Sequence, residues 1–216
     1  MFLTQMHLNP ARRGTRHLLA SPQRLHAAVL HGFPPGSTLG GPAGRVLWRV
    51  DQAQASITLY VSSPAEPDLT HIVEQAGWPT APQHWRTVST AQMHDRLAAG
   101  QEWVFRLTAN PVRNERVPGE RGKRHGHVTV SQQEDWLGSR SETWGFSLVT
   151  ADVTGRRHVM FSRRGPDTAG SVTLSMATFD GVLQVTDPDA LRRSLTSGVG
   201  RAKGYGCGLI TLAPVR

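Results

Sequence analysis

The chain has 216 residues, of which 38% are hydrophobic, and its 24 Lys and Arg outnumber its 16 Asp and Glu by enough to leave a formal net charge of +8. That length fits one large domain or two of about 100 residues each, and the charge favours a polyanionic partner, either nucleic acid or an anionic membrane surface. No apolar run approaches the roughly 18 residues of a membrane span, and the lone Cys207 excludes an intrachain disulfide or a multi-cysteine zinc site, which suits the cytoplasm.

Taken in chain order, "FLTQMHL" at 2–8 alternates like a strand rather than a signal peptide. "SPQRLHAAVLHGF" at 21–33 reads as a helix, with Ser21 as N-cap, Pro22 at the first helical position, and Leu25, Ala28, Val29 and Gly32 on one face. Residues 34–44 are a loop by composition. "RVLWRVD" and "ASITLYVSS" follow as strands, "DLTHIVEQAG" as a short helix and "EWVFRLTANPVR" as a strand. The order β-α-β-β-α-β is the split βαβ pattern, with 77–100 its least defined stretch.

A basic connector follows, "RNERVPGERGKRHGHV", which lacks apolar periodicity and reads as a mobile loop. Beyond it, Ser131 and Glu134 form the pattern of a capping box opening a helix. "FSLVTADV", "RHVMFSRR", "SVTLSMATFDGVLQV" and "GLITLAPV" read as strands, with a hairpin signal at Asp180-Gly181. "DPDALRRSLTSG" reads as a helix from an Asp187 N-cap and Pro188 to Gly198. The expected fold is therefore α+β, two tandem ferredoxin-like (RRM-like) βαββαβ domains. They are expected at 1–113 and 129–216, joined by the basic linker 114–128.

Two sheet-based modules on a basic chain point to single-stranded or hairpin RNA. Only 6% of residues are aromatic, so contact through phosphates and grooves is expected ahead of base stacking. His26 lies mid-helix beside the apolar face, where an imidazole can titrate near neutrality or serve simply as a polar boundary residue. His31 ends the same helix and points about 140° away, as a helix C-terminal histidine would. His125 and His127 are spaced like strand metal ligands but have no carboxylate or cysteine cluster with them, and nothing in the sequence requires a metal or other cofactor. Arg163 and Arg164 flank a Gly/Pro turn, a useful shape for a nucleic-acid groove and equally an ordinary solvated turn.

The last distinctive stretch is "GVGRAKGYGCGLITLAP", with glycines at 198, 200, 204, 206 and 208. Neither common nucleotide-binding loop fits it, because its helix-to-strand order is reversed and no Gly-Lys-Ser/Thr triplet is present. Together with "FLTQMHLNPARR", "SPQRLHAAVLHGFP", "FRLTANPVR" and "GKR", it resembles the CasE family, the CRISPR repeat-processing endoribonucleases of type I-E systems. The resemblance implies metal-independent cleavage of precursor RNA within repeat hairpins by attack of the 2′-OH. It implies 5′-OH and 2′,3′-cyclic phosphate ends, and retention of the mature guide RNA beside other Cascade subunits. His26 matches the family's catalytic histidine. Gln23 stands where many relatives carry a catalytic tyrosine, and His31 stands where some carry a basic helper. The implied RNA contacts are Arg24, Arg113, Lys123, Arg124, Arg163, Arg164, Arg201 and Lys203, with the glycine-rich loop Gly198, Gly200, Gly204, Gly206 and Gly208 either meeting phosphates or permitting tight packing. The alternative from another class is a non-catalytic RNA-binding subunit of the same ribonucleoprotein.

Overall fold

The computed structural model describes residues 1–41, 44–115, 123–165 and 168–215. The first half starts with β1 (Phe2–Leu8), then α1 (Arg13–Leu19), α2 (Pro22–Leu30), β2 (Leu47–Gln52), β3 (Ile57–Ser63), α3 (Thr70–Ala76) and β4 (Trp85–Ser89). Its sheet runs β2-β3-β1-β4, antiparallel throughout. Thr4, Met6 and Leu8 turn to the covered face of β1, where Met6 and Leu8 join Leu25 and Val29 of α2 and Ile72 and Val73 of α3 in one cluster. This is the amphipathic stripe that the spacing in α2 calls for.

After α4 (Ala91–Asp95), the second half continues through β5 (Glu102–Ala109), β6 (Val112–Glu115), β7 (Lys123–Gly126), α5 (Val130–Ser141), β8 (Phe146–Gly165), β9 (Thr168–Val185), α6 (Pro188–Ser197) and β10 (Ile210–Pro214). Its sheet runs β10-β5-β9-β8. Numbered within each half, both sheets have the order 4-1-3-2, so the chain consists of two tandem ferredoxin-like domains. The second core gathers Phe105, Leu107, Trp136, Phe146, Phe179 and Leu191.

Four expectations need correction. The segment 102–113 does not close the first sheet. β5 pairs with β9 and β10 as an inner strand of the second, and β4 closes the first instead, so the span 1–113 crosses from one sheet into the other. The flanks of the connector 114–128 are not a free linker, because β6 and β7 pair as a two-stranded ribbon; residues 116–122 lie outside the described residues. The capping box starts earlier, at Thr129 rather than Ser131: Thr129 accepts from the Gln132 backbone, and the Gln132 side chain returns the bond, at 3.2 and 3.4 Å. Asp180-Gly181 lies inside the 18-residue β9 rather than at a turn. Gly181 is needed there because a Cβ would sit 2.1 Å from the Thr150 carbonyl oxygen of β8.

The sheets are joined by a polar seam. Arg49 of β2 is buried and grips Asp51 with two bonds of 2.7 and 3.1 Å. It also donates across to the Arg106 carbonyl at 3.0 Å, the Leu209 carbonyl at 3.2 Å and the Thr211 hydroxyl at 3.0 Å. Arg106 completes the chain of charges, bonding Asp180 at 2.6 and 2.9 Å and Asp51 at 3.3 Å.

Candidate active site

α2 starts at Pro22 with Ser21 extended before it, and ends at His31, whose backbone N–H returns to the Ala27 carbonyl. Leu25, Ala28 and Val29 fix the buried face, which leaves His26 at the boundary, half-buried. The next strand supplies its partner. Trp48 is 4% exposed, and its indole N–H donates to His26 Nδ1 at 3.2 Å. An indole nitrogen can only donate, so Nδ1 is the acceptor and the neutral ring carries its proton on Nε2. The Nε2 edge rests against Gly204, where a Cβ would lie 3.4 Å away. Burial, with the Arg45 cation second, holds the imidazole below the usual histidine range.

The glycine-rich loop belongs to the second half but packs on the first. Gly206 has φ +81°, and a Cβ there would fall 2.6 Å from the Trp48 ring. Gly204 abuts His26, Gly200 abuts Trp136 and Gly198 abuts Leu47. Gly208 faces the Val199 backbone. At Gly198, Gly206 and Gly208 the direction a side chain would take is occupied by protein, the tight-packing role among the two considered; at Gly200 a Cβ would be tight against Trp136, and at Gly204 it would make ordinary contact with His26. The long β8–β9 hairpin braces this loop from behind, with the Phe161 and Tyr205 rings edge-on at 4.9 Å.

Beside the loop opens a cleft of about 610 Å³ whose lining includes Arg45, Asn110, Arg201, Lys203, Gly204 and Tyr205, and no carboxylate among the described residues. Arg45 Nε is buried without a hydrogen-bond partner among the described residues. Lys203 donates to the Ser197 carbonyl at 2.9 Å, and burial, followed by the Arg45 charge, lowers its pKa. Three cations sharing a wall with no acid to neutralise them make a site for a polyanion. His26 is not in that lining; it touches the cleft through Gly204. Cys207 is fully buried and its thiol is pushed up to about 12, so it is no nucleophile.

The other sequence candidates scatter. Gln23 is half-buried one turn before His26 on α2, and Arg24 is exposed, donating to the His17 carbonyl at 3.5 Å. His31 is exposed at the end of α2, and neither the hydrogen bond nor the charge acting on His26 comes from it. Arg113 is exposed on β6 opposite His125. Lys123 and Arg124 on β7, and Arg163 and Arg164 opposite Gly170 and Ala169 near the β8–β9 tip, are placed by backbone pairing; their side chains lie outside the described residues. Trp48 and Arg45 are the residues sequence reasoning missed. The only available signal was an indole in a strand, whose N–H must find an acceptor once buried. Among the described residues, no three His, Cys, Asp or Glu side chains gather into a metal-binding group.

Residues 1–214 match the family model described as CRISPR associated protein. The chain is 29% identical over 224 residues to a Thermus thermophilus protein named CRISPR-associated endoribonuclease Cse3, covering 99% of this chain and all of that one. It is 26% identical over 200 residues to the Escherichia coli CRISPR system Cascade subunit CasE, covering 89% of this chain and 92% of that one. A solved structure of CRISPR endoribonuclease Cse3 bound to a 19-nucleotide RNA superposes with a TM-score of 0.78 at 29% identity, over 99% of both chains. The Thermus thermophilus Cse3 pre-cleavage RNA complex gives 0.76 at the same identity, over 99% of this chain and 98% of that one.

Proposed function

We propose, for a chain that belongs to the family of CRISPR-associated proteins, that it is the endoribonuclease that cuts CRISPR precursor RNA within its repeat hairpins, with His26 as the acid/base residue. The observation that carries this reading is the pairing of one half-buried imidazole with a cleft that Arg45, Arg201 and Lys203 line and that no carboxylate enters among the described residues. Names of the relatives support it, since one is an endoribonuclease and another a Cascade subunit. The cytoplasm is the proposed site of action, with the guide RNA and other Cascade subunits as partners.

The chemistry follows from RNA itself. The 2′-oxygen attacks the adjacent phosphorus, the P–O bond to the 5′-oxygen breaks, and the products are a 2′,3′-cyclic phosphate and a 5′-OH. One proton leaves the 2′-OH and one arrives at the 5′-oxygen. The nucleophile is intramolecular, so alignment counts for more than activation, and no metal is needed to generate it. His26 moves a proton, Arg45 and Lys203 stabilise the extra charge on the phosphorane, and Arg201, exposed at the cleft wall, holds a flanking phosphate. Domain limits are part of the same proposal: the crossing between sheets, at 90–101, separates a histidine-bearing half from a loop-bearing half.

Single-turnover cleavage of a cognate repeat hairpin in excess EDTA, with end-group analysis, tests this. Wild type should cut to the stated ends, a 2′-deoxy substitution at the scissile nucleotide should stop cutting without loss of binding, and His26→Ala should bind within a few-fold but cut about 10²–10⁴-fold more slowly. Full-speed cleavage by His26→Ala removes the assignment and makes His31 the next residue to test. Gln23 in place of a tyrosine hydroxyl favours a second reading, a subunit that holds RNA without cutting it. Tight binding with no cleavage by wild type would select that reading.

A further inference from the structure

We infer that Trp48 is a positioning residue for the cleavage reaction: its indole N–H latches the His26 imidazole in a resting tautomer that has to be released before any proton can move. The inference rests on the reading of His26 as the acid/base group.

It follows from counting protons on the ring. Trp48 donates to Nδ1 at 3.2 Å, so Nδ1 carries no proton while that bond exists. A general acid at Nε2 must be an imidazolium, which has protons on both nitrogens. A general base at Nε2 must have its lone pair there, which puts the proton on Nδ1. In either working form Nδ1–H would confront the indole N–H, donor against donor. The resting form, with the proton on Nε2, is the one form that cannot transfer a proton at Nε2 at ordinary pH. Catalysis therefore requires the Trp48 bond to open, whichever role His26 plays.

The surroundings fit a latch. Trp48 cannot retreat, because Gly206 packs against its ring face and the first core holds it at 4% exposure. The ring of His26 lies outside the cleft lining, against Gly204. The charge acting on it is Arg45, just before β2; Lys203 and Tyr205 flank Gly204 in the loop that rests on it, and Arg157 of β8 and Trp48 line one pocket. None of these is an acid, so among the described residues no charge acting on the ring favours the imidazolium. An RNA phosphate entering beside Arg45 and Lys203 would supply the missing negative charge and draw a protonated ring off Trp48.

Two replacements test it on the full-length protein. Site-specific exchange of Trp48 for 3-benzothienylalanine keeps the bicyclic shape and deletes only the N–H; Trp48→Phe is the genetic counterpart, with hairpin affinity as the check on folding. In wild type, ¹⁵N shifts of the His26 ring should place the neutral proton on Nε2. In both variants His26 should bind its proton roughly two- to tenfold more tightly, the range one hydrogen bond commands, and the His26 limb of the single-turnover pH–rate profile should move to higher pH by the same factor. A wild-type proton on Nδ1, or an unmoved limb and unchanged proton affinity in the benzothienyl variant, overturns the latch. A variant slowed equally at every pH also overturns it, as a packing effect alone. If the double variant His26→Ala/Trp48→Phe cuts as fast as Trp48→Phe, the acid/base reading of His26 fails, while the ring shifts still judge the latch separately.

Discussion

The two halves share one strand order but use the space beside it differently. In the first, the chain between β1 and β2 forms two helices, and α2 brings His26 to the edge of the core. In the second, the corresponding α5 buries Trp136 against Phe179, with ring centroids 6.3 Å apart, and carries no histidine. The glycine-rich loop touches one tryptophan of each half, Trp136 at Gly200 and Trp48 at Gly206. On the second side that contact completes a core. On the first it sets a ring whose N–H reaches a histidine. A repeated topology therefore does not repeat the site. The site arises where an element of one half is packed by a loop of the other, and it depends on how firmly the halves are joined.

The largest effect is expected at that joint. Asp51→Ala leaves Arg49, buried among backbone carbonyls of the second sheet, without its carboxylate. Removing one partner of a buried pair costs about 3–5 kcal/mol, read as a drop in the urea midpoint. Replacing both, as in Arg49→Met with Asp51→Asn, should restore part of that loss. A midpoint for Asp51→Ala within experimental error of wild type would show that the halves are held by something other than this seam.

Next come the two glycines, which should separate packing from chemistry. Both have positive φ, +67° at Gly200 and +81° at Gly206, so alanine is strained at either. At Gly206 an added Cβ must also push Trp48, 2.6 Å away, whereas at Gly200 the Trp136 ring is 3.3 Å away. Gly206→Ala should cut about 10²-fold more slowly, the scale of a misplaced catalytic group. Gly200→Ala should lose stability but keep its single-turnover rate. Equal rates for the two variants would erase the distinction between the tryptophans.

Much of this was legible beforehand, and the failures have physical causes. α2 and α6 follow from local signals: in α2 periodicity and Pro22 suffice, the Ser21 side chain making no cap bond, while in α6 Asp187 does accept from the Asp189 and Ala190 backbones and Gly198 does end the helix. His26 was singled out because helix position and family resemblance agreed, and the structure sets it beside Trp48 and Gly204. β5 was read correctly as a strand and assigned to the wrong sheet, because alternation fixes a strand's faces and says nothing about its neighbours. α1 was not assigned; it carries Gly14, which the packing requires, since a Cβ there would lie 2.0 Å from the Gln75 carbonyl oxygen. The partners of His26 were invisible because, as with β5, local pattern does not show tertiary neighbours. Trp48 looks ordinary in a strand until the sheet turns it toward α2, and Arg45 just before that strand looks ordinary until the fold brings its charge to His26.

A smaller effect should distinguish charge on the loop from chemistry under it. Arg201 is exposed and lines the cleft, away from the contacts on His26. Arg201→Ala should reduce the log–log salt slope of hairpin binding by about 0.7–0.9, one phosphate contact's worth, and leave the saturated single-turnover rate unchanged. An unchanged slope would place Arg201 outside the RNA path.

The smallest effect concerns stability and pH. His26 in the first half and His94 at the crossing between sheets both have lowered pKa values, each chiefly through burial. The nearby cations are Arg45 for His26, and the N-terminal amine and Arg192 for His94. An unfolded histidine titrates near about pH 6.5, so below that pH the unfolded chain binds protons that the folded chain resists. Stability is then complete above about pH 6.5, falls as pH drops through that value, and levels off once the folded-state values are passed. Urea midpoints taken from about pH 8 down to about pH 5.5 should trace this decline, and His94→Gln should remove its share without touching the cleavage profile. Trp48→Phe should shrink the His26 share, because the indole bond is one of the interactions opposing protonation. A decline that survives both substitutions at full size would mean that other groups carry it, and the two histidines would then differ from the rest only in position.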